Sequence, residues 1–145
     1  MRNIHPSPLL KAALVADALV SGAVAALQLL GGQSLASWLV LPPPLLTATG
    51  SFLVVYVILL LALARSRSVA APLIGIVVLG NLGWAVGCMA LLALGFVTTG
   101  PLGTVFVLIQ AAAVLVFAAL EYRGMQVSAP SDSPRVGVAP NAAVR

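Results

Sequence analysis

Four polar side chains stand inside long apolar stretches and are the first candidates for chemistry: Asp17, Tyr56, Asn81 and Gln110. A carboxylate binds a proton or a cation, and phenol and amide groups hydrogen-bond to it. If each stretch is a helix, a rise of about 1.5 Å per residue places all four about 12 to 18 Å from the same end of the bundle. Polar groups in hydrocarbon associate across helix interfaces, so we predict that these side chains meet.

Asp17 has two interpretations. No lysine, arginine or histidine lies at a similar depth to neutralise its charge, and an apolar medium favours the uncharged acid. The first interpretation is a carboxylate that binds a proton or a cation for function. The second is a neutral aspartic acid whose hydrogen bonds to Tyr56, Asn81 or Gln110 hold the helices together. The sequence leaves both open.

The third apolar stretch carries glycines around an aromatic residue. Gly83 and Gly87 form a small-xxx-small pair, a spacing that lets another backbone approach closely. Gly22 lies on a matching stripe of small residues in the first stretch, so we predict close packing between the first and third helices. Trp84 is then either the aromatic wall of a substrate pocket, with Asn81 as its polar contact, or a side chain filling the groove that the glycines leave.

Several chemistries are excluded by residue counts. The single cysteine, Cys88, forms no intramolecular disulfide or redox pair, and the single histidine, His5, excludes haem held by two histidines of one chain. A zinc site of His and Cys is not expected. The apolar stretches show no Ser-His-Asp set, paired carboxylates or phosphate-binding loop. The sequence therefore predicts no catalytic residue, no metal and no cofactor, in a protein that is not an enzyme.

The elements that must position these residues are lipid-embedded helices. Of 145 residues, 61% are hydrophobic and 7% are charged, far too few charges to cover a water-facing surface. Apolar blocks long enough to span a bilayer occur at 9–30, 45–64, 69–97 and 102–122. We predict an all-α membrane protein, a four-helix transmembrane bundle over residues 9–122. Residues 1–8 precede it, and a disordered tail, 123–145, follows it.

The positive charges predict the orientation. All seven lysines and arginines fall on one side of a four-pass arrangement: Arg2, Lys11, Arg65, Arg67, Arg123, Arg135 and Arg145. The positive-inside rule makes that side cytoplasmic, so we predict both termini inside and an inner (plasma) membrane location. Glu121 is expected at this inner edge, as an anchoring partner of Arg123, Arg65 or Lys11.

The connection Gly31–Pro43 lies on the other side and contains an apolar stretch, 34–41. It is too short to span the bilayer. Two placements are open: along the outer membrane interface with Trp38 as an anchor, or as a short helix packed over the mouth of the bundle.

Short motifs carry a resemblance to other proteins. They are Asp17-x-x-x-x-Gly22, Gly80-Asn81-x-x-Trp84, Gln110-Ala111 and Glu121-x-x-Gly124. With them the chain resembles a group of small uncharacterised four-pass bacterial membrane proteins. That resemblance implies a compact bundle in a bacterial inner membrane and supplies no activity. The chain is more weakly similar to small multidrug resistance transporters, which also have an acid in the first helix and aromatic residues in the third, but here the acid is Asp17 rather than a glutamate.

The sequence predicts one function and leaves one alternative open. The first is a non-enzymatic structural or accessory bundle, motivated by the small-residue stripes and the absence of reactive pairs. The second is a small proton-coupled transporter in which Asp17 is the protonatable site, motivated by the polar residues at mid-membrane. The expected partners are the lipid bilayer and either a second copy of the chain or another membrane protein. Nucleic acid is not expected, because the basic residues are dispersed.

Overall fold

The computed structural model describes residues 3–95, 97 and 99–131. Within these ranges the chain forms four long helices, which are α1 (Pro8–Leu39), α2 (Pro43–Arg65), α3 (Ala71–Ala93) and α4 (Pro101–Gln126). Each has a proline in its first turn, where a missing N–H costs no hydrogen bond. Each is also long and apolar enough to cross a membrane. The prediction of four apolar helices of spanning length is therefore confirmed.

Three helices end several residues from the ends of the predicted blocks, and α3 also begins two residues after its predicted start at 69, because residues 69 and 70 form a strand. α1 continues to Leu39 rather than ending at residue 30, with a break at Gly32, whose φ of 49° and ψ of −135° are non-helical. α3 ends at Ala93 rather than at residue 97, and Gly95 follows it with a φ of 64°. α4 runs four residues beyond the predicted end at 122. Glycine adopts such positive φ values without steric cost, which explains why α1 breaks at Gly32 and α3 ends just before Gly95.

The helical segment after Gly32 folds over one end of the bundle. Leu35, Ala36 and Leu39 are buried, and Leu46 of α2 belongs to the same apolar cluster. Of the two placements open from the sequence, the structure shows packing over the bundle mouth. Trp38 lies on the outer side of this segment and is 71% exposed.

The opposite end of the bundle carries a small antiparallel sheet that the sequence did not predict. Its strands are β1 (Asn3–His5), β2 (Val69–Ala70) and β3 (Ala129–Pro130), in the order β2-β1-β3. Strands of two or three residues are too short to show an alternating pattern. The sheet brings the start of the chain, the α2–α3 turn and the end of α4 together at one end.

The sheet changes part of the predicted tail. Residues 123–126 complete α4, and residues 129–130 form β3, so the segment predicted as a disordered tail from 123 begins as ordered structure. The rest of that prediction, 132–145, lies outside the described residues, as do residues 1 and 2.

The helices pack in the order α2–α1–α4–α3, since α1 contacts α2 and α4, and α4 also contacts α3. The predicted glycine contact between the first and third helices is wrong. Gly22 faces Val57 of α2, and a Cβ added at Gly83 or Gly87 would meet nothing within 4 Å. The physical reason is that α3 turns its glycine face toward an open cleft rather than toward α1.

The close backbone approaches occur at other glycines. A Cβ added at Gly124 of α4 would lie 2.7 Å from Cα of Leu10 in α1, and one added at Gly103 would overlap the carbonyl oxygen of Leu39. These two positions bring α4 against both ends of α1. Glycine is needed there because any larger residue would push the two helices apart.

Candidate functional site

A buried polar cluster takes one side chain from each of the four helices: Asp17 of α1, Tyr56 of α2, Asn81 of α3 and Glu121 of α4. Asp17 and Glu121 are fully buried, and Asn81 is buried as well. The cluster therefore ties together helices that otherwise contact only their neighbours, and it lies in the interior of the bundle.

Asn81 is the centre of the hydrogen-bond network. Its Nδ2 donates to Oδ2 of Asp17 at 2.9 Å and to Oε2 of Glu121 at 3.1 Å. The two N–H groups of one amide thus connect both acids. The direct link between α1 and α3 is this polar side-chain contact and not a contact of glycine backbones.

Two hydroxyl groups complete the surroundings of Asp17. Ser21 Oγ, one helical turn along α1, donates to Oδ1 at 2.8 Å. The Tyr56 hydroxyl lies 3.1 Å from both Asp17 Oδ2 and Asn81 Oδ1. A phenol has one proton to donate, so it serves one of these acceptors at a time. The Tyr56 hydroxyl is thus positioned to respond to the charge of Asp17.

The charges around the two acids are uncompensated among the described residues. In the part of the chain that the structure describes, no lysine, arginine or histidine forms an ion pair with Asp17 or Glu121. Oε1 of Glu121 is buried without a hydrogen-bond partner. Two uncompensated charges in an apolar interior are very costly, and each opposes the other. The arrangement is therefore suited to holding at least one proton.

Glu121 corrects two expectations from the sequence. It does not anchor at the inner edge beside Arg123, Arg65 or Lys11, because it is fully buried and bonded to Asn81. It also forms with Asp17 the pair of carboxyl groups that the sequence did not reveal. Glu121 lies within the fourth predicted apolar block. A charged residue inside such a block is the sequence signal that could have identified Glu121 as a member of the cluster.

Gln110 was predicted to belong to the polar cluster, and in the structure it does not. It is half-buried on α4, and none of the cluster hydrogen bonds reaches it. The contact between Gly124 and Leu10 fixes the position of α4 along the antiparallel helix α1. Counted from that contact at about 1.5 Å per residue, Asp17 lies about 10 Å along and Gln110 about 21 Å along. Gln110 is therefore too far along the bundle to reach Asp17.

A cleft of about 730 Å³ lies between α2 and α3 and reaches the cluster. Ser21, Tyr56 and Asn81 border it from inside, and apolar side chains form nearly all of its walls. On the α3 side, Gly83 and Gly87 leave an open wall. The cleft is thus an apolar space whose inner limit is the acidic cluster.

Aromatic rings join the two walls of the cleft. The ring of Trp84 in α3 stacks on Phe52 of α2, with centroids 5.7 Å apart and planes inclined by 11°. Phe52 in turn stacks on Tyr56 at 6.4 Å. Trp84 therefore lines the cleft, and it does not fill a groove between packed helices. The structure does not bring Trp84 into hydrogen bonding with the acids.

Among the described residues, no group of three or more His, Cys, Asp or Glu side chains comes together in a way that could hold a metal ion. Cys88 is a free thiol on the wall of the cleft.

The chain matches no protein-family model, no curated protein and no solved structure. Its function is therefore inferred from the acidic cluster and the cleft.

Proposed function

We propose that the protein is a non-enzymatic, multi-pass membrane protein that acts as a small proton-coupled transporter, with Asp17 and Glu121 as its protonatable pair. One observation carries this proposal: two fully buried acids share the amide of Asn81 and have no cationic partner among the described residues. A purely structural role needs only one neutral hydrogen-bonding group at this place. A second acid adds desolvation cost, which a proton-binding role explains.

The pair is suited to taking up and releasing a single proton. Two acids that interact strongly lose their protons in two separate steps, because the first negative charge opposes the second. The pair is therefore suited to carrying one negative charge rather than two. It exchanges a proton with water when the site opens, or when a substrate changes its surroundings.

Tyr56 provides a route from the acids to the cleft. Its hydroxyl contacts Asp17 and Asn81, while its ring stacks on Phe52 in the cleft wall. Loss of a proton from Asp17 makes that carboxylate the stronger acceptor, so the Tyr56 hydroxyl turns toward it. A substrate in the cleft and a proton on the acids then influence each other through one side chain.

A titration tests whether the acids exchange protons. Infrared spectra of the protein in bilayers, recorded between pH 5 and pH 9, report the protonated carboxyl band. We expect a band change that both Asp17→Asn and Glu121→Gln abolish, and that Gln110→Ala leaves intact. Acids that keep their protons over the whole range would contradict the transporter proposal.

A flux measurement tests transport itself. Vesicles containing the parent protein or Asp17→Asn are given a pH gradient in the presence of a mixed extract of cell metabolites and lipids. We expect at least one compound, identified by mass spectrometry, to accumulate only with the parent and only with the gradient. Equal contents in both kinds of vesicle would count against transport through Asp17.

The proposal includes an orientation, with both termini cytoplasmic in a bacterial inner membrane. Lys11, Arg65, Arg67 and Arg123 belong to the segments beside the sheet, which supports a cytoplasmic sheet end under the positive-inside rule. In a Cys88→Ala background, a cysteine at Gln33 should react with a membrane-impermeant reagent in intact cells. A cysteine at Ser66 should react only after permeabilisation, and reaction in intact cells would reverse the orientation.

The second candidate is an accessory bundle that binds another membrane protein or a second copy of itself. One observation favours it: Gly83 and Gly87 lie on an open face of α3, and glycines at this spacing suit a close helix contact. Under this candidate the acids stay neutral, and Asp17→Asn leaves both the infrared titration and the function unchanged.

A further inference from the structure

We propose that the cleft between α2 and α3 binds a single hydrocarbon chain of a membrane amphiphile, which enters sideways from the bilayer. This inference rests on the proposed function in using the same cleft, and it names the chemical class that the cleft takes. Binding depends on the shape and apolar walls of the cleft and not on titration of the acids, so the two proposals are tested separately. An acyl chain and an isoprenoid chain share the chemistry that the site recognises.

The lining of the cleft defines an apolar occupant. Among the described residues that border it, none carries a charged side chain directed into the cleft, and its exposed surface is almost entirely carbon. The polar atoms of Asn81 and Tyr56 are already hydrogen-bonded to each other and to Asp17. A polar or charged group placed in the cleft would lose its hydration without gaining partners, whereas a hydrocarbon chain loses nothing.

The cleft opens toward the surroundings of the bundle. Val55 on the α2 wall and Ile76 on the α3 wall are each more than half exposed. In a four-helix membrane protein such side chains face lipid, so the occupant reaches the cleft from the bilayer. No passage through the bundle interior is needed.

The two walls of the cleft touch at two places, where no helix fits between them. The Phe52 and Trp84 rings stack across the cleft at 5.7 Å, and the Tyr56 hydroxyl reaches Asn81 at 3.1 Å. A helix with its side chains is about 10–12 Å wide and does not fit between walls joined in this way. A hydrocarbon chain is one carbon atom thick and needs van der Waals spacing of about 4 Å on each side, so it lies beside the stacked Phe52 and Trp84 rings and not between them.

The length of the cleft and its closed end determine which way the bound hydrocarbon chain points. The α2 wall runs from Leu45 to Leu59, which is about 21 Å of helix, and the volume of about 730 Å³ is within the usual range for ligand sites. At the sheet end, Leu60 and Ile74 belong to the apolar core and do not border the cleft, so the cleft ends before them. The chain therefore points its methyl end toward the sheet and leaves its headgroup at the opposite membrane surface.

The experiment uses Trp84 as a reporter inside the cleft. A Trp38→Phe variant leaves Trp84 as the single tryptophan, and a lysophospholipid with bromine atoms at mid-chain quenches its fluorescence on contact. Added to the full-length protein in detergent, this probe should give saturable quenching. The same lipid brominated next to the headgroup should quench less, because Trp84 lies about two helical turns inside the cleft.

Matched leucine substitutions separate the cleft from the general surface. Gly83→Leu and Gly87→Leu place a side chain in the cleft, and we expect binding of the probe to weaken about tenfold. Gly75→Leu is the control: it lies on the same helix, has nothing within 4 Å and does not border the cleft. It should bind like the parent, and thermal melting checks that all three variants are folded.

Two results would overturn the proposal. One is quenching that rises without saturation and is equal in Gly83→Leu and Gly75→Leu, which would mean ordinary contact with bulk lipid. The other is the absence of quenching in the parent protein. Oxidative cross-linking between Cys88 residues of two chains in bilayers would then show that a second copy covers the cleft.

Discussion

Between α1 and α4, Gly124 and Gly103 bring two helix backbones into direct contact, and an added Cβ would collide with Leu10 or with the Leu39 carbonyl group. Between α2 and α3, Gly83 and Gly87 face a cleft where an added Cβ meets nothing within 4 Å. The same residue type therefore serves close packing in one helix pair and leaves space in the other. Glycine spacing shows where two helices can approach, and the arrangement of the other helices decides whether they do.

The largest expected effect concerns Asn81, where the packed side and the cleft side meet. Asn81→Ala leaves Asp17 and Glu121 without the amide that bonds both, which should cost about 3 kcal/mol of unfolding free energy, since buried acceptors lose their donor. Thermal and denaturant unfolding in detergent measure this loss. The control Gln110→Ala should change stability by less than about 0.5 kcal/mol, and equal losses would show that the network does not stabilise the bundle.

The next prediction tests the glycine comparison directly. Gly124→Ala should cost about 1–3 kcal/mol, because its methyl group collides with the backbone of Leu10. Gly83→Ala should instead stabilise α3 by up to about 1 kcal/mol, since alanine is the better helix former and the space is free. Melting temperatures in one detergent should therefore move in opposite directions, and a shift of the same sign for both would refute the contrast between the two helix pairs.

A smaller effect is expected at the sheet end of the packed side. Ser7 caps α1 by accepting from the N–H of Leu10, and its hydroxyl donates to the carbonyl group of Gly124 at 2.8 Å. Ser7→Ala should cost about 1 kcal/mol, as is usual for loss of an N-cap. Ser37→Ala is the matched control, because that exposed hydroxyl bonds only within its own helix. Loss of stability in the control alone would contradict the role given to Ser7.

The smallest effect is expected on the wall of the cleft. Cys88 is half-buried there and is a free thiol, so Cys88→Ala should change the unfolding free energy by less than about 0.5 kcal/mol. Unfolding curves of the parent and the variant check this. A large destabilisation would mean that the cleft wall is packed against something, in conflict with an open α2–α3 pair.

The polar cluster shows which contacts could be predicted from the sequence and which could not. Asp17, Tyr56 and Asn81 were predicted to meet, and the structure brings these three into hydrogen bonding. On α4 the prediction chose Gln110, whereas the structure uses Glu121. The two residues are eleven positions apart and share one helix face, so helical periodicity does not distinguish them. Their positions along the axis of α4 differ by about 16 Å. The contact of Gly124 with Leu10 determines which of these positions lies beside Asp17.

The sequence by itself determined the four helices, because long apolar blocks bounded by prolines and glycines have no stable alternative in a bilayer, where backbone hydrogen bonds must form within the helix. It also determined that an acid lies inside the first helix. Only the tertiary structure decided that Glu121 is paired with that acid, that α2 and α3 leave a cleft, and that short strands join the ends of the chain. These features depend on the rotation and level of each helix against its neighbours, which the positions of its apolar residues do not encode when all of its faces are apolar.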